Sequence, residues 1–139
     1  MSDIEDKVFT KKDAELWANL PTKKEADLWP ILKAVLSAYG WEAFRVENSV
    51  LLGWPDVVAH RREDGKTIYI ELKKNRGLQV KYRPGQLGLL KRFRQIRVLS
   101  FVCAEKDGDI YLLEPKEKFS VSDYTKHTHV STAISYIGR

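Results

Sequence analysis

Two apolar alternations on either side of Asp64-Gly65 constrain this chain more than any other feature. Val57 and Ala59 precede the dipeptide, and Ile68, Ile70 and Leu72 follow it, each spaced by one residue. Side chains alternate across a β-strand, so each set belongs to one face. Asp-Gly is favoured in two-residue hairpin turns. If Asp64 and Gly65 alone form the loop, Val58 lies across from Glu71 and Asp56 across from Lys73. Directly opposed residues share a face. Asp56, Val58, Glu71 and Lys73 then project from one side, and Val57, Ala59, Ile68, Ile70 and Leu72 from the other. The second side is wholly apolar and is the expected core side. A loop of odd length would break this register, but the alternation supports it independently.

The remaining elements are read from caps and periodicity. Thr10-Lys11-Lys12-Asp13 opens a helix carrying Ala14, Leu16 and Trp17, stopped by Leu20-Pro21. Thr22-Lys23-Lys24-Glu25 is a capping box. Its helix carries Trp29, Leu32, Val35, Leu36 and Tyr39 and ends at Gly40. Pro30 either kinks that helix or moves its regular part to near Asp27. Strands are expected from Trp41 to Val46, Asp56 to Ala59 and Thr67 to Leu72. Pro84-Gly85 introduces a helix from about Gln86 to Gln95. Val98 to Ala104 reads as a buried strand, and Asp107-Gly108 turns it into Ile110 to Leu113. A short helix over Thr132 to Ile137 ends the chain. The order is α-β-β-β-α-β-β, an α/β sheet with helices packed on it. Its 139 residues suit one domain, 1–139, with an N-terminal helical extension (1–20), a core (22–114) and a C-terminal tail (115–139).

Charge narrows the function. From Lys73 to Arg97 there are nine basic residues and no Asp or Glu, although the whole chain carries only +5. Such a run repels itself unless something anionic meets it, and phosphate fits. Lys74, Arg76, Lys81, Arg83, Lys91 and Arg94 are its candidate DNA contacts, the first four in or beside a loop over about 76–83. No apolar run approaches the ~20 residues of a bilayer span. The opening MSDIEDKVFT is unlike a secretory or transit leader. A cytoplasmic chain is expected, in a host cytoplasm if phage-encoded. Cys103 lies in an apolar run and reads as packing, His127 and His129 as solvated, and His60 as a strand-end surface residue. Zinc fingers, nucleotide-binding loops, nucleophilic triads and amphipathic membrane helices find no support.

On this register Asp56 and Glu71 are diagonal neighbours, with Cα atoms roughly 7–8 Å apart. Two carboxylates that close repel unless a divalent cation separates them, and oxygen donors suit Mg²⁺ or Mn²⁺. Lys73 beside them is placed to orient a water or to stabilise negative charge. Taken alone, the three could equally form a surface salt bridge.

Gly53-Trp54-Pro55-Asp56, followed fifteen residues later by Glu71-Leu72-Lys73, resembles the PD-(D/E)xK nuclease signature. With Gln86, Leu89 and Leu90 downstream, the pattern is similar to the VRR-Nuc branch, whose members occur as stand-alone phage and bacterial nucleases and as domains of repair enzymes. The resemblance covers about 22–104. It implies a restriction-endonuclease-like core, a central mixed sheet flanked by helices, and metal-dependent hydrolysis of DNA. By the same resemblance, Asp56, Glu71 and the Leu72 carbonyl are metal ligands and Lys73 is the catalytic lysine. Gln86 reaches the lysine, water or phosphate from the next helix. Glu25 is an auxiliary acid that contacts the metal through water, or a second metal, although its capping duty, Glu15 or Glu47 compete for that place. Pro55 suits a strand start and Gly53 a tight bend; Trp54 packs on the first helix or stacks on a base. The expected substrate is branched DNA such as a four-way (Holliday) junction. The alternatives are single-stranded, flap or RNA substrates, or a catalytically silent nucleic-acid-binding domain. A homodimer is expected for paired nicks, built from Trp17, Leu20, Trp29, Tyr136 and Ile137 unless these are core.

Overall fold

Thr10 and Asp13 cap the first helix reciprocally. The Thr10 hydroxyl accepts from the Asp13 N–H at 3.1 Å, and the Asp13 carboxylate accepts from the Thr10 N–H at 3.0 Å. The computed structural model describes residues 10–18, 25–46, 53–73 and 80–137. In it this cap opens α1 (Lys11–Ala18), followed by α2 (Glu25–Ala38), β1 (Trp41–Arg45), β2 (Val57–Arg61) and β3 (Thr67–Lys73). After these come α3 (Gln86–Gln95), β4 (Leu99–Lys106), β5 (Asp109–Leu113) and α4 (Val130–Tyr136). The capping box at Thr22 lies outside the described residues. The α2 helix continues through Pro30 without a break. Proline forgoes one helical hydrogen bond, and burial of Leu28, Ile31, Leu32, Val35 and Leu36 on the same helix offsets that loss.

The five strands form one mixed sheet in the order β1-β2-β3-β4-β5. All neighbours are antiparallel except β3 and β4. A parallel pair needs a crossover, and α3 supplies it. Ala43, Val57, Ala59, Ile68, Ile70, Leu72, Cys103 and Leu112 pack with α2 and α4 on one face. On the other, Val102, Ala104 and Leu113 meet Leu90 of α3, with Val80 and Phe119. The C-terminal segment therefore adds Phe119, Val130, Ile134 and Ile137 to the buried interior.

The β2–β3 hairpin departs from the expected register. Val57 pairs with Ile70 and His60 with Thr67, and the Arg61 N–H donates to the Lys66 carbonyl at 2.8 Å. The loop is residues 62–65, not Asp64-Gly65 alone. Asp64 is the cause. Its carboxylate takes the Arg61 guanidinium at 2.9 and 2.6 Å and the Lys66 N–H at 3.1 Å, which ties the wider loop shut. Gly65 supplies a left-handed residue at φ 74°. Slipping by two preserves the alternation, so the faces are as expected. It does, however, move Asp56 from opposite Lys73 to opposite Glu71, one step beyond the ladder.

Candidate active site

Two bonds from backbone N–H groups to carboxylates tie Asp56 to the Glu71-Leu72 segment. The Asp56 N–H donates to Glu71 Oε1 at 3.1 Å, and the Leu72 N–H donates to Asp56 Oδ2 at 3.1 Å. The pair is directly opposed, closer than the diagonal arrangement expected. With α3 over this face, the Glu71 side chain is only 1% exposed. Gln86, fully buried at the start of α3, donates its amide to Glu71 Oε2. Its own oxygen accepts from the Arg83 N–H at 3.2 Å, so the loop before α3 is wired to the carboxylate.

The charges around this pair are unequal. Lys73 Nζ lies 3.4 Å from Glu71 Oε2. A terminal nitrogen of Arg83 stands 3.8 Å from Asp56 Oδ1 and 3.9 Å from Glu71 Oε2. Burial, and then the hydrogen bond and negative charge of Asp56, push Glu71 up to about 8, while Lys73 acts in the opposite direction. Asp56 and Glu71 are the two side chains here that could hold a cation; no cluster of three or more His, Cys, Asp or Glu forms anywhere among the described residues, this cleft included.

A cleft of about 280 Å³ opens here, lined by Arg45, Asp56, Glu71, Leu72, Lys73 and Arg83. A larger cavity of about 490 Å³ lies at the opposite end of β2 and β3, among Trp41, Arg61, Arg62 and Ile137. Its arginines are already engaged, Arg61 by Asp64 and the Ile137 carbonyl and Arg62 by Glu42 and Ser37. The reactive groups belong to the smaller cleft.

Comparison with solved structures finds the same architecture in several proteins, two of which are representative. Hjc, a Holliday junction resolvase from Archaeoglobus fulgidus, is 19% identical, with a TM-score of 0.59 over 78% of this chain and 98% of its own. A VRR-Nuc domain is 25% identical, with a TM-score of 0.51 over 61% of this chain and 87% of its own. This is a VRR-Nuc-like PD-(D/E)xK fold. The sequence matches no family model and no curated protein.

Within the VRR-Nuc-like framework, the residues singled out from sequence divide clearly. Asp56, Glu71, Lys73 and Gln86 converge, and Arg83 faces them. Lys81 and Lys91 are exposed. Arg94 is committed to the fold, donating to the Ser100 carbonyl at 2.8 Å and lying 4.9 Å from the Phe101 ring centroid. Lys74 and Arg76 lie outside the described residues, as do Glu47 and the side chain of Glu25. Glu15 is exposed on α1. Trp54 is half-buried and packed among rings. It meets Tyr69 and Phe93 edge-on at 5.7 and 5.6 Å, bracing β3 against α3. His60 is held by Thr67 at 2.8 Å, and burial pushes the Cys103 thiol up to about 12, leaving it inert. Arg45 is the site residue that sequence reasoning missed. It stands outside the basic run, and only the pairing of β1 with β2 brings it to the cleft.

Proposed function

We propose that this chain is a divalent-cation-dependent nuclease that hydrolyses DNA phosphodiester bonds, with branched DNA such as a four-way junction as its substrate. The observation that carries this reading is the opposed pair Asp56 and Glu71, with Lys73 against it, in a cleft rimmed by Arg45 and Arg83. The donor set fits Mg²⁺ or Mn²⁺: two carboxylates, one of them raised to about 8 by burial and its partner's charge, are short of positive charge. Asp56, Glu71 and the Leu72 carbonyl would hold the ion. Bound there, it supplies Lewis-acid polarisation of the phosphoryl oxygen and charge for the leaving oxygen.

The chain's own groups divide the remaining work. Lys73 orients the attacking water and offsets charge growing on the phosphoryl oxygens. Gln86 fixes the orientation of Glu71. Arg45 and Arg83 hold phosphate, Arg83 leaving the carboxylates as they are neutralised. A purely binding domain is disfavoured, because bare carboxylates at this position repel phosphate. Likeness to a resolvase across nearly all of that protein's length supports the branched substrate.

Purified protein with Mg²⁺, tested on linear, nicked, flapped, single-stranded and four-way DNA, should cut the four-way substrate best. Mn²⁺ should replace Mg²⁺, Ca²⁺ should permit binding with little turnover, and EDTA should silence the reaction. Preference for flaps or single strands would select the alternative substrate; cutting in excess chelator would remove the cation. Two matched nicks also call for a two-fold pair of chains. Of the apolar residues expected at such an interface, Ile137 is buried, Trp29 packs against the core and Tyr136 is 67% exposed. Leu20 and the Trp17 side chain lie outside the described residues. Light scattering at micromolar concentration, free and on four-way DNA, tests the pairing.

A further inference from the structure

Lys73 has a second neighbour besides Glu71. Its Nζ lies 5.5 Å from the centroid of the Tyr82 ring, and its side chain is only 14% exposed. Tyr82 precedes Arg83 in the loop leading to α3, and its ring packs against the buried cluster of Val80, Leu90 and Phe119. Its hydroxyl donates to the Lys116 carbonyl at 2.6 Å. The Lys116 ammonium is in turn tied to Asp123 at 2.6 Å, so the C-terminal segment holds the ring from its far edge. The hydroxyl proton is thereby directed away from the cleft. Burial pushes this phenol up to about 12, which leaves it neutral and unsuited to proton transfer.

We propose that Tyr82 is a positioning residue for Lys73, its ring face holding the lysine ammonium at the cleft. The inference rests on the nuclease reading of the same site. Glu71 is both the ion-pair partner of Lys73 and a proposed cation ligand, so a bound cation competes with the ammonium for the same carboxylate. A lysine stem is flexible and its head strongly hydrated. Once Glu71 is shared, the ring is the contact that keeps the ammonium from swinging into solvent, through cation–π attraction in a partly desolvated place. Packing on Val80, Leu90 and Phe119 keeps the ring in that position, and the bond to the Lys116 carbonyl adds to it.

Full-length Tyr82→Phe and Tyr82→Leu separate positioning from packing. Phenylalanine keeps the ring face and loses the tether; leucine keeps apolar bulk and loses the face. With Mg²⁺ and the best substrate of the panel, Tyr82→Leu should lose roughly tenfold or more in kcat with little change in KM, the scale of one desolvated cation–π contact. Tyr82→Phe should retain most of kcat. Adding Lys73→Ala to Tyr82→Leu should cost less than Lys73→Ala costs alone. A signature independent of turnover comes from NMR: the Lys73 ε-methylene protons should be shifted upfield by the ring in wild type and Tyr82→Phe, and not in Tyr82→Leu. Full kcat in Tyr82→Leu, or equal losses in both variants tracking their unfolding midpoints, would overturn the positioning role while leaving the nuclease reading intact. An unshifted Lys73 in wild type would overturn it too. If wild type cuts nothing in the panel, the nuclease reading falls and this inference with it.

Discussion

A β-carbon on Gly53 would lie 3.0 Å from the backbone nitrogen of Gln86 and 3.1 Å from its Cα. The glycine before Trp54-Pro55-Asp56 therefore does more than permit a bend at φ 80°. It lets the first turn of α3 close onto the β2 approach, which is what carries the Gln86 amide to Glu71. Gly53→Ala should lose most cleavage and destabilise the fold. Gly65→Ala is the control, since Gly65 also has positive φ, 74°, but nothing lies within 4 Å of its absent Cβ. Both carry the left-handed backbone cost of about 1–2 kcal/mol. Gly53→Ala should exceed Gly65→Ala in denaturant unfolding, because backbone atoms cannot move aside as a side chain can. Equal losses would show that the close approach relaxes without consequence.

Asp56→Asn, Glu71→Gln and Lys73→Ala should each abolish most cleavage. Combinations should cost little more than the worst single change, because the three groups act as one unit. Native circular dichroism with a cooperative melt is required of each variant. A well-folded Lys73→Ala that cuts normally would remove the lysine from the reaction.

Much of this site is written in local pattern, and the rest depends on tertiary packing that pattern does not encode. Alternation in Val57, Ala59, Ile68, Ile70 and Leu72 reveals the faces, because a strand's period is two whatever the loop length, provided the slip is even. The register itself is set by one side chain, Asp64, closing a wider loop through Arg61 and Lys66. Turn propensity cannot supply that length. The bounds of α3 follow from Pro84-Gly85 and the helical run behind it. The closeness of Gln86 to Glu71 is tertiary, since it needs the crossover after β3 and the absence of a side chain at Gly53. Arg45 and Tyr82 were silent for the same reason. Arg45 reaches the cleft through strand pairing and Tyr82 reaches Lys73 through core packing, with no motif around either. Arg94 shows the converse, a residue that belongs to a basic run by sequence and to the start of β4 by geometry.

That division predicts how salt will act on binding. Charge reversal at Arg45, Lys81 or Lys91 should weaken DNA binding on every sequence. Each phosphate that is no longer neutralised should flatten the dependence of log K on log salt by about one unit. Arg94→Ala should leave the slope nearly unchanged and lower the melting temperature instead, because it removes the donor to the Ser100 carbonyl and the cover over Phe101. Fluorescence anisotropy across a salt series, with Ca²⁺ in place of Mg²⁺, measures the first effect. A flattened slope for Arg94→Ala would return it to the DNA-binding face.

Glu71 gives the metal-free protein a defined response to pH. Its folded carboxyl is raised from an ordinary 4.5 to about 8 by burial and by Asp56. Below about pH 4.5 the group is protonated in both folded and unfolded chains and has no effect on their balance. As pH rises from there towards 8, the unfolded chain releases the proton and the folded one retains it. Stability contributed by this group therefore falls with increasing pH, at a slope of up to about 1.4 kcal/mol per unit, and levels off above the folded value. Glu71→Gln has no such proton to release and lacks this dependence. The stability difference between wild type and Glu71→Gln, measured by urea unfolding with EDTA at intervals from about pH 4.5 to about 9, should move steadily against wild type. Mg²⁺ should reverse the trend in wild type alone, and most strongly at the alkaline end, because an ion bound to the ionised carboxylate stabilises the folded state in proportion to its occupancy. Parallel pH curves for the two proteins would mean that Glu71 ionises in the fold as easily as in water, and the case for a cation drawn from its environment would fail.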